Sequence, residues 1–355
     1  MIYKIRAIAL LIVFMSLKAV AQNGLYGGIE IGSKGIKMTV LEVDNIKRGN
    51  YTKLESWSEN VGIAKGISID GKLAKEDIDL AAQVVLSNLL KIRNDFKVED
   101  GNIFVVGSSG VAMADNIADL VTAVKTVTDK DLVFIDAATE GKMLLKGCIP
   151  PKQYSSSMVL DIGGGNTKGG YVDPNNDEEL VFFPLSLNYG TITLTESVLK
   201  KTKNNSIAEF TDKSFEFLPI LRNQIKAMYD SKPQALEKEN IYLSGGAIWA
   251  FYTLTNGESK NVFSDFKLED VLYYDAILKN NFDKFVEMGK TDKEVARVLK
   301  TYTQKYLISG SNLLLVTLEA IPNISEKKLF FAKEGQIAWL VSYVVDRAKN
   351  IKKIK

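Results

Sequence analysis

Residues 157–172 read SMVLDIGGGNTKGGYV, and this stretch decides the fold. Ser157–Ile162 is a run of strand-forming residues that includes an aspartate near its end, Thr167–Val172 is a second such run, and glycines separate the two. Two apolar runs joined by a short glycine-rich loop predict a β-hairpin. The pattern therefore places an acid at the end of a buried strand, next to a tight turn.

The same plan occurs earlier in the chain. Residues 25–31 and 35–43 are β-rich runs joined by Gly-Ser-Lys at 32–34, which predicts another hairpin. Glu30 and Asp161 are each followed by the same Ile-Gly step, and seven residues after each acid stands a lysine, Lys37 or Lys168. We infer that the chain consists of two halves built on one plan.

The chain as a whole has the pattern of an α/β protein. Its 355 residues, 46% hydrophobic and 25% charged, are enough for two domains with separate cores. The Gly-Cys-Ile-Pro-Pro stretch at 147–151 is the best linker candidate, so we predict domains at 22–149 and 150–355, the second with terminal helices. Further strands are predicted at 103–106, 132–135 and 241–243, and helices at 80–96, 117–127 (capped by Asp115 or Asn116), 139–146, 210–228, 247–254, 268–278, 293–306, 311–320 and 335–346.

The composition excludes several kinds of chemistry. The chain has no histidine and a single cysteine, Cys148. Imidazole bases, Ser-His-Asp triads and zinc sites built on histidine or cysteine are therefore ruled out, as is an intramolecular disulfide. Any catalysis must use carboxylates, amines, hydroxyls, backbone amides or a hard metal ion.

The N-terminus resembles a secretory signal. Lys4 and Arg6 precede an apolar run at 7–15, and Ala-Val-Ala at 19–21 predicts cleavage before Gln22. The alternative, a membrane anchor, needs roughly 20 apolar residues, and this run ends at Leu17. We predict a signal peptide at 1–21, export to the periplasm or the medium, and no stable membrane anchor. Cleavage lowers the formal charge from +2 to −1, so no nucleic-acid partner is expected.

The glycine turns suit phosphate. Glycine lets the backbone approach a ligand and direct several N–H groups into one concavity, and an acid at the strand end can hold Mg²⁺ directly or through water. A third turn, Ser244-Gly245-Gly246, lies between a predicted strand and a helix, where the positive end of the helix favours an anion. Each turn taken alone has the simpler interpretation of an ordinary tight turn.

These motifs resemble those of one family. The stretches 28–33, 161–167 and 243–246 are similar to the two phosphate motifs and the third glycine motif of the actin, Hsp70 and sugar-kinase superfamily. Within it the chain most resembles the exopolyphosphatase and guanosine pentaphosphate phosphatase (Ppx/GppA) family. Five more stretches resemble segments of that family in the same order: 106–116, 135–147, 186–196, 309–321 and 333–335.

The resemblance implies an α/β fold of two ribonuclease-H-like, actin-like ATPase domains facing a central cleft. It also implies Mg²⁺-assisted hydrolysis of a terminal phosphoanhydride, with Glu140 as the base and Glu30 and Asp161 as the metal-holding acids. The simpler interpretation of Glu140 is a glutamate near a helix start, facing the N-terminal dipole. The residues expected to bind phosphate are Gly32, Ser33, Lys34, Ser109, Gly163, Gly164, Gly165, Asn166, Thr167, Lys168, Gly245 and Gly246.

The chain departs from the family pattern at four positions. Glu30 stands where aspartate is usual, which keeps the charge. Ala112 and Thr193 stand where the family has arginines, and Lys168 stands where it has a glutamate. Losing even one donor at such a site costs on the order of 3 kcal/mol of transition-state stabilisation. Lys168, Lys34 or Lys37 would have to supply the missing positive charge.

Three hypotheses follow. The first is an exported Mg²⁺-dependent hydrolase of polyphosphate or a related polyphosphorylated ligand. The second is a catalytically silent phosphate or polyphosphate binder, which the two lost arginines and the substitution at Lys168 favour. The third, an ATP-dependent kinase, fits the glycine turns but not an exported protein, which would find little ATP. A homodimer is an open alternative to a monomer.

Overall fold

The computed structural model describes residues 24–45, 49–173 and 181–354. Within these ranges the chain forms two sheets with helices packed against them. The predicted signal peptide lies outside the described residues. No helix in the described part of the chain combines the length and the hydropathy that crossing a bilayer requires.

The first sheet is built from the N-terminal third of the chain. Strands β1 to β3 form an antiparallel meander, and β4 and β5 add in parallel on the other side of β1, giving the order β3-β2-β1-β4-β5. The bounds are β1 Gly24–Ile31, β2 Gly35–Asn45, β3 Asn50–Asn60, β4 Ile103–Gly107 and β5 Leu132–Phe134.

The second sheet repeats this order. A meander of β6, β7 and β8 is followed by the parallel strands β9 and β11, with β10 added antiparallel at the edge, so the order is β8-β7-β6-β9-β11-β10. The internal repeat inferred from the hairpins is therefore present in the topology. The bounds are β6 Ser157–Ile162, β7 Thr167–Val172, β8 Phe182–Leu187, β9 Asn240–Ser244, β10 Phe263–Phe266 and β11 Lys328–Ala332.

Twelve α-helices lie in the described ranges. Their bounds are α1 Ile67–Asp70, α2 Lys75–Asp95, α3 Ile117–Thr128, α4 Ala137–Cys148, α5 Thr191–Leu199, α6 Ile207–Asp230, α7 Gly246–Asn256, α8 Leu268–Asn280, α9 Asp283–Gly289, α10 Lys293–Thr301, α11 Gln304–Glu319 and α12 Gly335–Ile354.

Two helix predictions were wrong. The helix predicted at 293–306 is two helices, because Tyr302 (φ −126°, ψ 130°) and Thr303 (φ −71°, ψ 161°) are extended and interrupt the helical backbone. The helix predicted at 311–320 is the second half of that next helix, α11. Gly147 and Cys148, which we predicted to begin the linker, form the last turn of α4.

The buried residues form three clusters. One fills each half, and a third lies between the two sheets. The third cluster is built on α4 and α12, and it takes Tyr26 and Val106 from the first sheet and Val159 and Tyr242 from the second. The last helix of the chain thus packs on β1 and β2, the first strands.

Candidate functional site

The two hairpin acids occupy equivalent positions in the structure. Glu30 pairs in register with Lys37 across β1 and β2, and Asp161 pairs with Lys168 across β6 and β7. Both acids are buried. Burial and the charge of Glu140 outweigh the nearby lysines and raise the pKa of Glu30 from 4.5 to about 7.

The two hairpin turns lie against each other. A Cβ atom placed on Gly165 would be 2.5 Å from Ser33 Oγ and 2.7 Å from the carbonyl oxygen of Gly110. One placed on Gly164 would be 3.1 Å from Ser33 Cβ. Close packing between the halves therefore leaves no room for a side chain at Gly165 and little at Gly164, and the cleft is closed at this point. Sequence reasoning missed Gly110, whose only signal was the small-residue run Ser-Ser-Gly at 108–110.

The glycine turn of the second hairpin, residues 163–165, is held by hydrogen bonds from the first residues of helix α5. The N–H groups of Thr191 and Ile192 donate to the carbonyl oxygens of Gly163 (2.9 Å) and Gly164 (2.8 Å). In a trans peptide the N–H points opposite to the preceding carbonyl. The N–H groups of Gly164 and Gly165 therefore point away from α5, as a phosphate-binding concavity requires.

Thr193 completes this attachment. Its hydroxyl donates to the carbonyl oxygen of Gly165 at 2.8 Å and accepts from the N–H of Gly190 at 2.9 Å. The hydroxyl of Thr193 is thus engaged by the backbone of the turn and of the residue that precedes α5.

The third glycine turn lies beside the second hairpin. Gly245 precedes α7 with a φ of +96°, which strongly favours glycine, and a Cβ there would lie 2.6 Å from Asp161 Oδ1. Gly246 lies against the hydroxyl of Tyr302, a residue that no sequence pattern connected to the site.

Glu140 is fully buried (0% exposed) near the start of α4, whose N-terminus Asp136 caps by accepting from Thr139. The N–H and the hydroxyl of Ser109 both donate to Oε2 of Glu140, at 2.9 and 2.6 Å. Lys168 Nζ lies 2.9 Å from the other oxygen, Oε1, as a close ion pair.

A closed ring of contacts links these groups. Asn166 Nδ2 donates to Ser109 Oγ at 2.9 Å, and Lys168 Nζ donates to Asn166 Oδ1 at 3.4 Å. The ring therefore runs from Lys168 through Glu140, Ser109 and Asn166 back to Lys168. Burial alone would lower the pKa of Lys168, but Asp161, Glu140 and Glu30 outweigh burial and raise it. The raised pKa keeps Lys168 protonated at neutral pH.

The remaining predicted residues lie around this ring. Gly32 closes its turn by donating to the carbonyl oxygen of Gly35. The hydroxyl of Thr167 donates to the backbone of Tyr189, so it is committed to the structure of the second half. Lys34 reaches across the cleft, with Nζ 4.9 Å from the ring centre of Tyr306; burial and the charge of Lys65 lower its pKa.

Comparison with known proteins decides the family. A family model described as the Ppx/GppA phosphatase family matches residues 42–335. The chain belongs to the Ppx/GppA phosphatase family. Comparison with curated proteins gives no match.

Solved structures of this kind share the fold. The Aquifex aeolicus Ppx/GppA family member has a TM-score of 0.63 at 19% identity, covering 92% of this chain and 99% of that chain. An exopolyphosphatase from Cytophaga hutchinsonii has a TM-score of 0.67 at 16% identity, covering 90% and 98%. An exopolyphosphatase-like protein has a TM-score of 0.70 at 15% identity, covering 93% and 99%. The predicted actin-like α/β fold is confirmed.

Ppx/GppA phosphatases are generally metal-dependent, but the acidic groups of this chain do not fit a bound Mg²⁺. Mg²⁺ takes oxygen ligands in near-octahedral geometry and in proteins is usually held by one or two carboxylates together with waters, so what surrounds those carboxylates decides whether the ion fits. The described residues hold no group of three or more aspartates, glutamates or cysteines arranged to bind a metal ion. Lys168 Nζ lies instead among the carboxylates, 2.9 Å from Glu140 and 3.9 Å from Asp161.

Proposed function

We propose that this protein binds the end of polyphosphate, or of a related polyphosphorylated ligand, between its two glycine hairpins and hydrolyses the terminal phosphoanhydride. One observation carries the proposal. In a chain of a phosphatase family, the turns of both hairpins, the third glycine turn and Glu140 meet at one place.

The binding groups are the backbone amides and the cations beside them. The N–H groups of Gly164 and Gly165 face away from α5, and the residue before α7, Gly245, lies against Asp161 and Ile162 of the same hairpin. Lys168 supplies a buried positive charge, and Lys34 a partly exposed one at the opposite side of the cleft. Together they suit a chain of phosphates that enters past Lys34 and ends near Lys168.

Binding requires the two halves to separate. Ser33 packs directly against Gly164 and Gly165, so no phosphate fits between the turns as they stand. We therefore propose a hinge movement that opens the cleft for the ligand and closes it afterwards.

Hydrolysis needs a base for the attacking water, and we propose Glu140. The test is orthophosphate release from polyphosphate, guanosine polyphosphates and ATP by residues 22–355, with and without Mg²⁺. In Glu140→Gln we expect the rate to fall by a factor of about 10² or more, since a positioned base contributes at least that much. The exposed Glu76→Gln serves as the control. Equal turnover by Glu140→Gln and the unmodified protein contradicts the assignment of the base.

The second candidate function is binding without turnover. It is favoured by the contacts of Glu140, whose two oxygens are engaged by Ser109 and Lys168, and by the short Thr193 at an arginine position. Isothermal calorimetry with sodium triphosphate distinguishes the two functions. Binding without any orthophosphate release selects the silent binder.

We also propose that the protein acts outside the cytoplasm, in the periplasm or the medium, without nucleic acid and without a membrane anchor. The signal-like pattern at 1–21 supports export. Size-exclusion chromatography with light scattering decides between a monomer and a homodimer.

A further inference from the structure

Lys168 occupies a central position among the acids of the cleft. Its Nζ lies 2.9 Å from Glu140 and 3.9 Å from Asp161, and the charge of Glu30 also acts on it. The side chain is 8% exposed, whereas Lys37, its counterpart in the first hairpin, is 29% exposed. The two hairpins thus share a register but use their lysines differently.

This position is one where a divalent cation would be expected. An ion bound by Glu30 and Asp161 would lie near the ammonium group of Lys168, and the low dielectric of the buried site strengthens the repulsion between the two cations. If Glu140 coordinated the metal ion directly, that ion would also compete with Lys168 for the Glu140 carboxylate. Lys168 and the ion therefore exclude each other.

The surroundings hold Lys168 in place. Asn166 accepts a hydrogen bond from its Nζ, and Asn166 and Glu140 are both fixed by Ser109. On the next residue of the strand, the backbone of Gly169 lies close to Gly141 of α4, so β7 and the start of α4 are in tight contact. The ammonium group is consequently a fixed part of the site.

We propose that the Lys168 ammonium is the resident cation of this cleft, taking the place of a divalent metal ion, and that the protein binds terminal phosphates without Mg²⁺. The inference rests on the proposed binding of phosphates in the cleft. It removes the need for Glu30 and Asp161 to act as metal ligands: Glu30 lies 3.3 Å from Lys37, and Asp161 lies 3.9 Å from Lys168.

The first test measures metal binding directly. Mn²⁺ is titrated into residues 22–355 and the free ion is followed by electron paramagnetic resonance, with Mg²⁺ as competitor. We expect no stoichiometric Mn²⁺ binding by the unmodified protein. One Mn²⁺ per chain, displaced by Mg²⁺ and lost in Asp161→Asn, overturns the proposal.

Variants make the test specific to this position. Lys168→Glu removes the cation and adds a carboxylate, so we expect Mn²⁺ affinity to rise by about tenfold or more, the scale on which single groups of a metal site act. Lys37→Glu makes the same charge change at the equivalent register but leaves Lys168 in place, and we expect no gain. Equal gains in the two variants show that overall charge controls metal binding, and they overturn the proposal. Circular dichroism verifies folding, and the unmodified protein decides the matter if a variant does not fold.

A second measurement separates this inference from the proposed function. Sodium triphosphate is titrated calorimetrically into the unmodified protein in EDTA. Binding in EDTA supports the proposal, and binding only after Mg²⁺ is restored overturns it. No binding under either condition argues against the proposed function, while the Mn²⁺ titration still decides the role of Lys168.

Discussion

Glu30 and Asp161 illustrate how far single residues were predictable. Their equivalence, and that of Lys37 and Lys168, followed from counting along the chain, because an antiparallel hairpin fixes which residues face each other. The sequence did not indicate which carboxylate would form the ion pair with Lys168. Glu140 comes from a helix that precedes β6 in the chain, and only tertiary packing brings its Oε1 to 2.9 Å from Lys168 Nζ. The contacts of Thr193 with the second glycine turn and of Tyr302 with Gly246 could not be predicted either, because they too depend on tertiary packing.

The raised pKa of Glu30 predicts a pH dependence of stability. The pKa of its carboxyl group is about 7 in the folded protein, against an ordinary value of 4.5. Between pH 4.5 and about 7 the folded state binds more protons than the unfolded state, so the free energy of unfolding falls as the pH rises. The total fall is at most about 3 kcal/mol, and it levels off above about pH 7. Glu30→Gln removes this contribution.

Urea unfolding at pH 5 and pH 8 measures the effect. The loss of stability between the two pH values should be smaller in Glu30→Gln than in the unmodified protein, whereas the exposed Glu76→Gln should follow the unmodified protein. An unchanged loss in Glu30→Gln shows that Glu30 titrates normally.

Ser109 is the residue on which the ring of contacts depends. Ser109→Ala removes one hydrogen bond to Glu140 and the acceptor of Asn166, both buried, so we expect a destabilisation of about 1–3 kcal/mol. Ser87→Ala, at an exposed serine that donates only to the backbone of its own helix, should change stability by less than about 0.5 kcal/mol. Chemical denaturation compares the two, and equal effects contradict the importance of the ring.

At the scale of elements, the sequence predicted the hairpins and most helices and missed strands β3, β8, β10 and β11. Both hairpins, β4, β9 and the cores of α2, α3, α6 and α7 were predicted, because a buried face imposes a clear period on the sequence. Strand β3 was missed, since most of it is exposed and its residues, NYTKLESWSEN, lack a continuous apolar pattern. Strands β8, β10 and β11 were missed because an apolar run of four to six residues does not by itself distinguish a strand from a piece of buried helix.

The packing of α12 on β1 predicts that a side chain at Gly28 destabilises the protein. A Cβ atom on Gly28 would lie 2.5 Å from Val344 Cγ2 and 3.1 Å from Leu340 Cδ1. Gly28→Ala should therefore push α12 away from the strand and destabilise the protein by about 1–3 kcal/mol.

Gly101→Ala is the matched control, because a Cβ there has no atom within 4 Å. Its expected effect is below about 0.5 kcal/mol. Thermal unfolding of both variants measures the difference. A Gly28→Ala protein as stable as Gly101→Ala would show that the helix does not pack on β1 as described.

At the scale of the whole molecule, the repeat was predicted but the way the halves meet was not. Matching motifs indicated two similar halves, and five strands of the second sheet repeat the order of the first. The third core cluster, in which α4 and α12 lie between the sheets, could not be anticipated, because it combines residues from both ends of the chain.

The fate of the first 21 residues is a prediction for the intact protein. Expressed with its full sequence in a bacterial host, it should be recovered outside the cytoplasm with Gln22 as its first residue, as N-terminal sequencing would show. Ala21→Arg should block cleavage, because signal peptidase needs a small residue there. Recovery of the intact chain from Met1 in the cytoplasm contradicts export.

The position of α12 has a consequence for synthesis. The face of the first sheet around Gly28 is covered by residues near 340, so about 300 residues must be made before that face can be buried. At 5–20 residues per second, this takes roughly 15–60 s. Throughout that interval the N-terminal half exposes an apolar surface, so a nascent chain of this protein should depend on chaperone contact until its last helix arrives.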